Sequence, residues 1–295
     1  MPTLRTWTDA VISATLIEKC CLIAQPVAGN PTHFMVEQAF VLAGLDWRFM
    51  SFEVAADKLG DAMRGIRALG LRGVKVAEPH QETVLEYLDE LTEPARACGS
   101  VNCVTADDDG RLVGDNTEGM ALVDLVREQA EPAGQRAMIL GAGRVARAIA
   151  IALGQAGVAS VTVACRSHDA GKRLVDLIES NTGASASLVH FGGKETIKID
   201  AATSLLVNAT SLETFDPNAT LPLDATATNL RGIVVDVTYN SAGTWLTRQA
   251  RERGCRVIDG VELYVRQTAL ALANWTGTMP DTAAMREAAE EFLGL

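Results

Sequence analysis

No CxxC pair occurs in this chain, and its six cysteines and four histidines are scattered, with none of the spacings that hold zinc. A metal site is therefore not expected, and the adjacent Cys20-Cys21 reads as part of a buried strand. No apolar run reaches the roughly 18 residues that a membrane-spanning helix needs. The opening MPTLRTWTDA also lacks the apolar core of a signal peptide, so the expectation is a soluble, cytoplasmic protein with reduced thiols. A basic surplus is missing as well. With 26 Lys and Arg against 37 Asp and Glu, the formal net charge is −11, which argues against nucleic acid or an anionic membrane surface as partner. An anionic ligand would need a local cationic pocket. Internal repeats and low-complexity tracts are absent too.

What is present is a chain of 295 residues, 48% of them hydrophobic, enough for about two domains with a core each. Strand patterns fall at Cys20 to Ile23, Trp47 to Val54, Gly73 to Val76 and Gly99 to Thr105, the last with a hairpin partner at Arg111 to Val113. Helical periodicity runs through His33 to Phe40, Leu59 to Leu69, His80 to Leu91 and Met120 to Glu128. Further on, Ser204 to Val207, Gly232 to Val237 and Cys255 to Ile258 read as strands. Thr244 to Arg253, Leu263 to Trp275 and Thr282 to Leu293 read as helices, and Glu213 to Asn229 as a Pro- and Thr-rich loop. Strands alternating with helices predict an α/β fold.

The central stretch is Ala137 to Leu153, AMILGAGRVARAIAIAL. A continuous apolar run, as in a buried parallel strand, enters Gly141-Ala142-Gly143, and an Ala-rich helix follows. Such glycines let the backbone turn tightly against a pyrophosphate, which then sits on the helix N-terminus, and Ala146 fits the third small position. A second apolar strand, Ser160 to Ala164, comes one helix later. The alternative is a glycine turn that serves packing alone. An NAD site places Asp or Glu at the end of that second strand, about 20 residues after the glycines. That acid is also missing here. Cys165-Arg166-Ser167 stands there instead, and a guanidinium beside a hydroxyl suits the 2′-phosphate of NADP. Arg144, Lys172 and Arg173 add positive charge nearby, the last two readable as ordinary helix-face charge.

Several short motifs, taken in order, resemble the shikimate dehydrogenase family across nearly the whole chain. Gly114-Asp115-Asn116-Thr117-Glu118-Gly119 is similar to the family's GDNTDG, and Ser100-Val101-Asn102-Cys103 to its AVNT. Asn208-Ala209-Thr210-Ser211 resembles NATS, Cys165-Arg166-Ser167 stands for NRT, and Asp259-Gly260 with Gln267 resembles the DGxxMLxxQ helix. Gln25-Pro26 and the spacing from Gly70 to Glu82 look closest to a divergent shikimate dehydrogenase-like branch. The resemblance implies a substrate domain over residues 1–118, completed by 263–295, and a Rossmann-like NADP-binding domain over 119–262. It also implies hydride transfer between NADP(H) and a small cyclic hydroxy or keto acid such as shikimate or 3-dehydroshikimate.

By the same resemblance, the cofactor would be held by Gly141, Ala142, Gly143, Arg144, Val145, Arg166, Ser167, Thr210, Val237 and Gly260. Substrate would meet Asn30, Thr32, Asn102, Tyr239 and Gln267. Asp115 is the implied acid/base member, with helix capping as its other reading. Two departures stand out. The family's carboxylate-holding SxS is Asn30-Pro31-Thr32, and its NVTVPFKE is Lys75 to Glu82, so Gln81 occupies the catalytic Lys position. An amide can hydrogen-bond but cannot titrate. Lys75, on the same strand face as Ala77, is placed to supply an ammonium from another direction. His80 is either a titrating group or a surface residue at a helix start, and His33, His168 and His190 receive no role. The alternative function is a catalytically weak or inactive paralogue that binds NADP(H) and a small carboxylate as a sensor or partner protein. A monomer or homodimer is expected.

Overall fold

The computed structural model of the chain describes residues 17–191, 196–212, 220–223, 232–239 and 243–295. The opening residues 1–16 and most of the stretch from Glu213 to Asn229 lie outside it. Two six-stranded sheets carry the fold. The first contains β1 (Lys19–Ala24), β2 (Arg48–Glu53), β3 (Gly73–Val76), β4 (Glu90–Leu91), β5 (Cys103–Ala106) and β6 (Leu112–Asp115). Its order is β2-β1-β3-β5-β6-β4, with β5 antiparallel to both neighbours. Along β1 the side chains alternate between two cores. Cys20, Leu22 and Ala24 face one, Cys21 and Ile23 the other, so the strand is apolar throughout.

The second sheet contains β7 (Arg136–Leu140), β8 (Ser160–Cys165), β9 (Ser185–His190), β10 (Leu205–Asn208), β11 (Ile233–Asp236) and β12 (Arg256–Ile258). All its pairings are parallel and its order is β12-β11-β10-β7-β8-β9, the doubly wound arrangement. Chain direction across the sheet reverses between β7 and β10, and a crevice opens there at the carboxyl ends of the strands.

Helices α1 (Thr32–Leu42), α2 (Leu59–Ala68) and α3 (Glu93–Cys98) belong to the first half. Helix α4 (Thr117–Arg127) follows β6 and packs on α5 (Arg144–Gln155), so the expected boundary at residue 118 falls just inside α4. A Cβ on Gly119 would meet the Ala148 carbonyl at 2.4 Å, which is why a glycine stands where α4 and α5 cross. Beyond come α6 (His168–Asn181), α7 (Trp245–Glu252), α8 (Gly260–Thr276) and α9 (Thr282–Leu293). The chain returns in α8 and α9 to cover the first sheet, where Val265, Leu272, Trp275 and Met285 join the core of Cys20 and Leu22. Among the described residues, no helix is long and apolar enough to cross a membrane.

The expected helix from His80 to Leu91 is corrected to a single 3₁₀ turn, Thr83–Tyr87, followed by β4. The Asp89 carboxylate explains the break, because it accepts from the Leu112 amide at 2.6 Å and from Arg67 at 2.8 Å, fastening this segment to the sheet edge. Thr92 then caps α3, an element the periodicity does not reveal, and Gly99 closes it at φ +65°. The strand expected from Gly99 accordingly begins only at Cys103.

Candidate active site

Between the two sheets lies a cavity of about 340 Å³, lined among others by Asn30, Lys75, Glu78, Gln81, Glu118, Arg144, Tyr239, Tyr264 and Gln267. Its floor is the end of β3. Val74 and Val76 point into the core beneath, so Gly73, Lys75 and Ala77 share the opposite face, over which α8 lies. Trp275 packs on Gly73 so closely that a Cβ there would come within 2.3 Å of the indole. Two turns earlier on α8, Gln267 Oε1 accepts from Lys75 Nζ at 3.0 Å and from Asn102 Nδ2 at 2.9 Å. Asn102 Oδ1 in turn accepts from the Thr117 amide at 2.9 Å. Sheet, helix start and C-terminal helix are thus joined at one buried point.

Burial leaves Lys75 only 2% exposed and draws its pKa down from 10.5 to about 8. The carboxyl nearest in influence is Glu118, which burial pushes above the usual carboxylate range. Arg144 Nη1 stands 3.5 Å from Glu118 Oε2, while its Nη2 donates to Glu78 at 2.8 Å. Arg144 therefore lies in the cleft, bridging the two halves of the protein, and not in the glycine-loop cavity.

Asp115 does not line the cleft. Its Oδ1 accepts from Thr92 Oγ1 at 2.5 Å and from the Asn116 amide at 2.8 Å, and its Oδ2 accepts from Asn274 at 3.1 Å. These partners hold the carboxylate within the strand-to-helix corner. Asn116 then caps α4 by accepting from the Glu118 amide, and the first helical turn carries the Glu118 side chain into the cleft. The acid that faces the cleft is Glu118, three residues beyond the one the motif reading selected.

Gln81 lines the cleft, donates from Nε2 to the Val76 carbonyl at 2.9 Å, and leaves Oε1 buried without a partner among the described residues. His80 is fully buried and bonded through Nε2 to the Val54 carbonyl at 2.8 Å, so it is neither at the surface nor in the cleft. Asn30 is brought to the cavity, whereas the Thr32 hydroxyl lies behind it, 2.7 Å from the Tyr264 hydroxyl. Tyr264, which no sequence motif singles out, precedes Gln267 by three residues and so shares its helix face.

A second cavity opens at the carboxyl ends of β7 and β8, lined by Gly141, Ala142, Gly143, Arg166, Ser167 and Thr210. The groups fit a dinucleotide. Gly141 has φ +106°, and a Cβ on it would meet the Ala209 carbonyl at 2.7 Å, so a glycine is required there. A Cβ on Gly143 would meet nothing within 4 Å, which leaves bare backbone facing the cavity. Among the described residues no side chain caps α5, so its first amides stay available for an anion. Arg166 is exposed and makes no ion pair among the described residues, while Lys172 is paired with Asp176 at 3.0 Å. Val145, Val237 and Gly260 line the inter-domain cleft, beyond this cavity. Among the described residues no cluster of His, Cys, Asp and Glu could hold a metal ion.

Residues 22–104 match the family model of the shikimate dehydrogenase substrate binding domain. A relative from Symbiobacterium thermophilum, named shikimate dehydrogenase (NADP+), is 36% identical over 91% of this chain and 92% of its own length. The chain belongs to the shikimate dehydrogenase family. It is an oxidoreductase whose cofactor is NADP. Two solved structures of the same fold stand near it. The ligand-free 5-ketofructose reductase of Gluconobacter sp. strain CHM43 has a TM-score of 0.89 at 34% identity, covering 94% of this chain and 99% of that one. The shikimate 5-dehydrogenase of Listeria monocytogenes, in complex with shikimate and NAD, has 0.84 at 30% identity, covering 92% and 96%.

Proposed function

We propose that this family member transfers hydride between NADP(H) and the carbonyl carbon of a small polyhydroxylated ketone, with Lys75 and Glu118 handling the proton. NADPH, when bound on Gly141 to Gly143 with its 2′-phosphate at Arg166 and Ser167, supplies the hydride. The observation that carries the reading is the cleft itself, where two buried titratable groups are pushed toward each other in acidity, Lys75 downward and Glu118 upward. As the ketone oxygen gains charge, Lys75 Nζ stabilises it and gives up a proton, held in place by Gln267 Oε1. Glu118 exchanges that proton onward. Asn102 holds Gln267 from the other side, and Tyr239 and Asn30 offer hydrogen bonds to substrate hydroxyls. Asp115 serves to fix the corner from which α4 starts. Gln81 is the feature that favours an inactive binding protein, and the buried Lys75 ammonium in the same cleft weighs against that reading.

The relatives' names give two substrates, the hydroxy acid shikimate, which is oxidised to a ketone, and the ketone 5-ketofructose. Assays of NADP+ reduction by shikimate and of NADPH oxidation by 5-ketofructose test the reading directly. Glu118→Gln keeps the shape and removes the charge, and should lower kcat by about 10²-fold or more, the scale of a positioned acid or base. Full activity in Glu118→Gln, with Asp115→Asn inactive at unchanged stability, would return the acid/base role to Asp115.

A further inference from the structure

We propose that Tyr264 sets the substrate class of the cleft by closing its polar end to a carboxylate, so that the site takes a neutral polyhydroxylated ketone. The inference rests on the hydride-transfer reading above and narrows it. Among the described residues four charged side chains line the cavity, and they balance, with Lys75 and Arg144 against Glu78 and Glu118. Arg144 is bonded to Glu78 and faces Glu118, so it offers no unmatched positive charge to an anionic substrate. The rest of the polar lining is neutral, made of amides and tyrosine hydroxyls. Such groups both donate and accept, as hydroxyls do.

The direction of the hydrogen bonds at Tyr264 decides what that end can bind. The Thr32 amide donates to Asn30 Oδ1 at 3.0 Å, which fixes the orientation of the Asn30 amide. Tyr264 donates its single hydroxyl proton to the same oxygen at 3.0 Å. The Thr32 hydroxyl, 2.7 Å away, must then donate to Tyr264. Both hydroxyl protons are engaged, and Thr32 is fully buried. An incoming carboxylate could take neither the Thr32 nor the Tyr264 hydroxyl proton unless this chain were broken. Gln81 makes the complementary demand. With Nε2 fixed on the Val76 carbonyl, its buried Oε1 needs a donor. A substrate hydroxyl supplies one, whereas a carboxylate at that point would repel the oxygen. Tyr264 also stands at the Leu position of DGxxMLxxQ, so the hydroxyl that closes the site is a departure made by this chain.

The test is steady-state kinetics on the full chain with shikimate, its methyl ester and 5-ketofructose, with NADPH binding measured by calorimetry for every variant. The wild type should use the methyl ester at least about tenfold better than shikimate in kcat/KM, the scale of a hydrogen bond to a charged group. Tyr264→Phe keeps the ring against Tyr239, whose centroid lies 5.5 Å away, and frees the Thr32 hydroxyl. It should move the ratio toward shikimate by about tenfold or more, chiefly through KM. Tyr264→Leu should move it in the same direction. A wild type that prefers shikimate to its ester overturns the proposal, as does a ratio that neither variant moves beyond about twofold. Turnover of none of the three by a wild type that binds NADPH overturns the hydride-transfer reading and the inference with it. Turnover of shikimate in preference to both neutral substrates overturns only the inference.

Discussion

Burying an ammonium beside a neutral acceptor is costly, and Lys75 does so with Gln267 Oε1 as its hydrogen-bond partner. Its folded pKa of about 8 lies below the ordinary 10.5, so between those values the unfolded chain binds more protons than the folded one. The penalty is therefore complete below about pH 8 and is relieved as pH rises toward 10.5. Lys75→Met should raise stability at pH 7 by up to about 3 kcal/mol in chemical denaturation, while cutting turnover by about 10²-fold. Ketone reduction needs the protonated form, so its kcat/KM should fall as pH rises through about 8. That limb should vanish in Lys75→Met. At Arg166, the exposed guanidinium predicts that Arg166→Ala costs about 1.5–3 kcal/mol of NADPH affinity and leaves NADH binding nearly unchanged. Equal losses for the two cofactors in calorimetry would assign Arg166 to packing. The sequence shows both residues by type. It does not show that Asp115 is held by Thr92, Asn116 and Asn274, because those partners come together only in three dimensions. Within one motif of two acids, pattern alone could not decide which one reaches the cleft.

Elements were legible where a long period or a strong punctuation mark defined them. The strand, glycine turn and helix from Arg136 to Gln155 follow from apolar continuity and from Gly141 and Gly143. Because a Cβ on Gly143 meets nothing within 4 Å, Gly143→Val should fold normally, with an unchanged melting transition. It should nonetheless lose cofactor binding by more than about tenfold, since the branched side chain stands where the pyrophosphate approaches the backbone. Wild-type NADPH affinity in that variant would make the glycine loop a packing device. The segment after Pro79 has a helical apolar spacing, yet Asp89 fastens it to the sheet edge through contacts with Arg67 and Leu112 that are distant in sequence. Helix α3 is not legible in the pattern although Thr92 and Gly99 mark its ends, since six residues are too few to show a period.

Across the whole molecule, the two halves meet along α5. Arg144 reaches Glu78, Arg147 reaches Glu82 and the Cys98 carbonyl, and Gln155 reaches Glu93. These contacts give Arg144 a different test from the one a glycine-loop residue would have. Arg144→Met should leave NADPH affinity nearly intact, within about 1 kcal/mol as for a partly exposed ion pair, and should instead raise substrate KM. Loss of NADPH affinity comparable to that of Arg166→Ala would return Arg144 to the cofactor.

The meeting of Lys75, Asn102 and Gln267 also has a consequence for the order in which the protein comes into being. Strands β1 to β6 leave the ribosome before the cofactor-binding sheet, and the helix that carries Gln267 and Trp275 follows both. At about 5–20 residues per second, the interval between Asp115 and Gly260 lasts on the order of ten seconds. Throughout it, the face of Cys20, Leu22 and Phe49 lacks the cover that α8 and α9 later provide. A nascent chain can thus complete its glycine loop before Gln267 exists to position Lys75, and it acquires its chemistry only once α8 has been made.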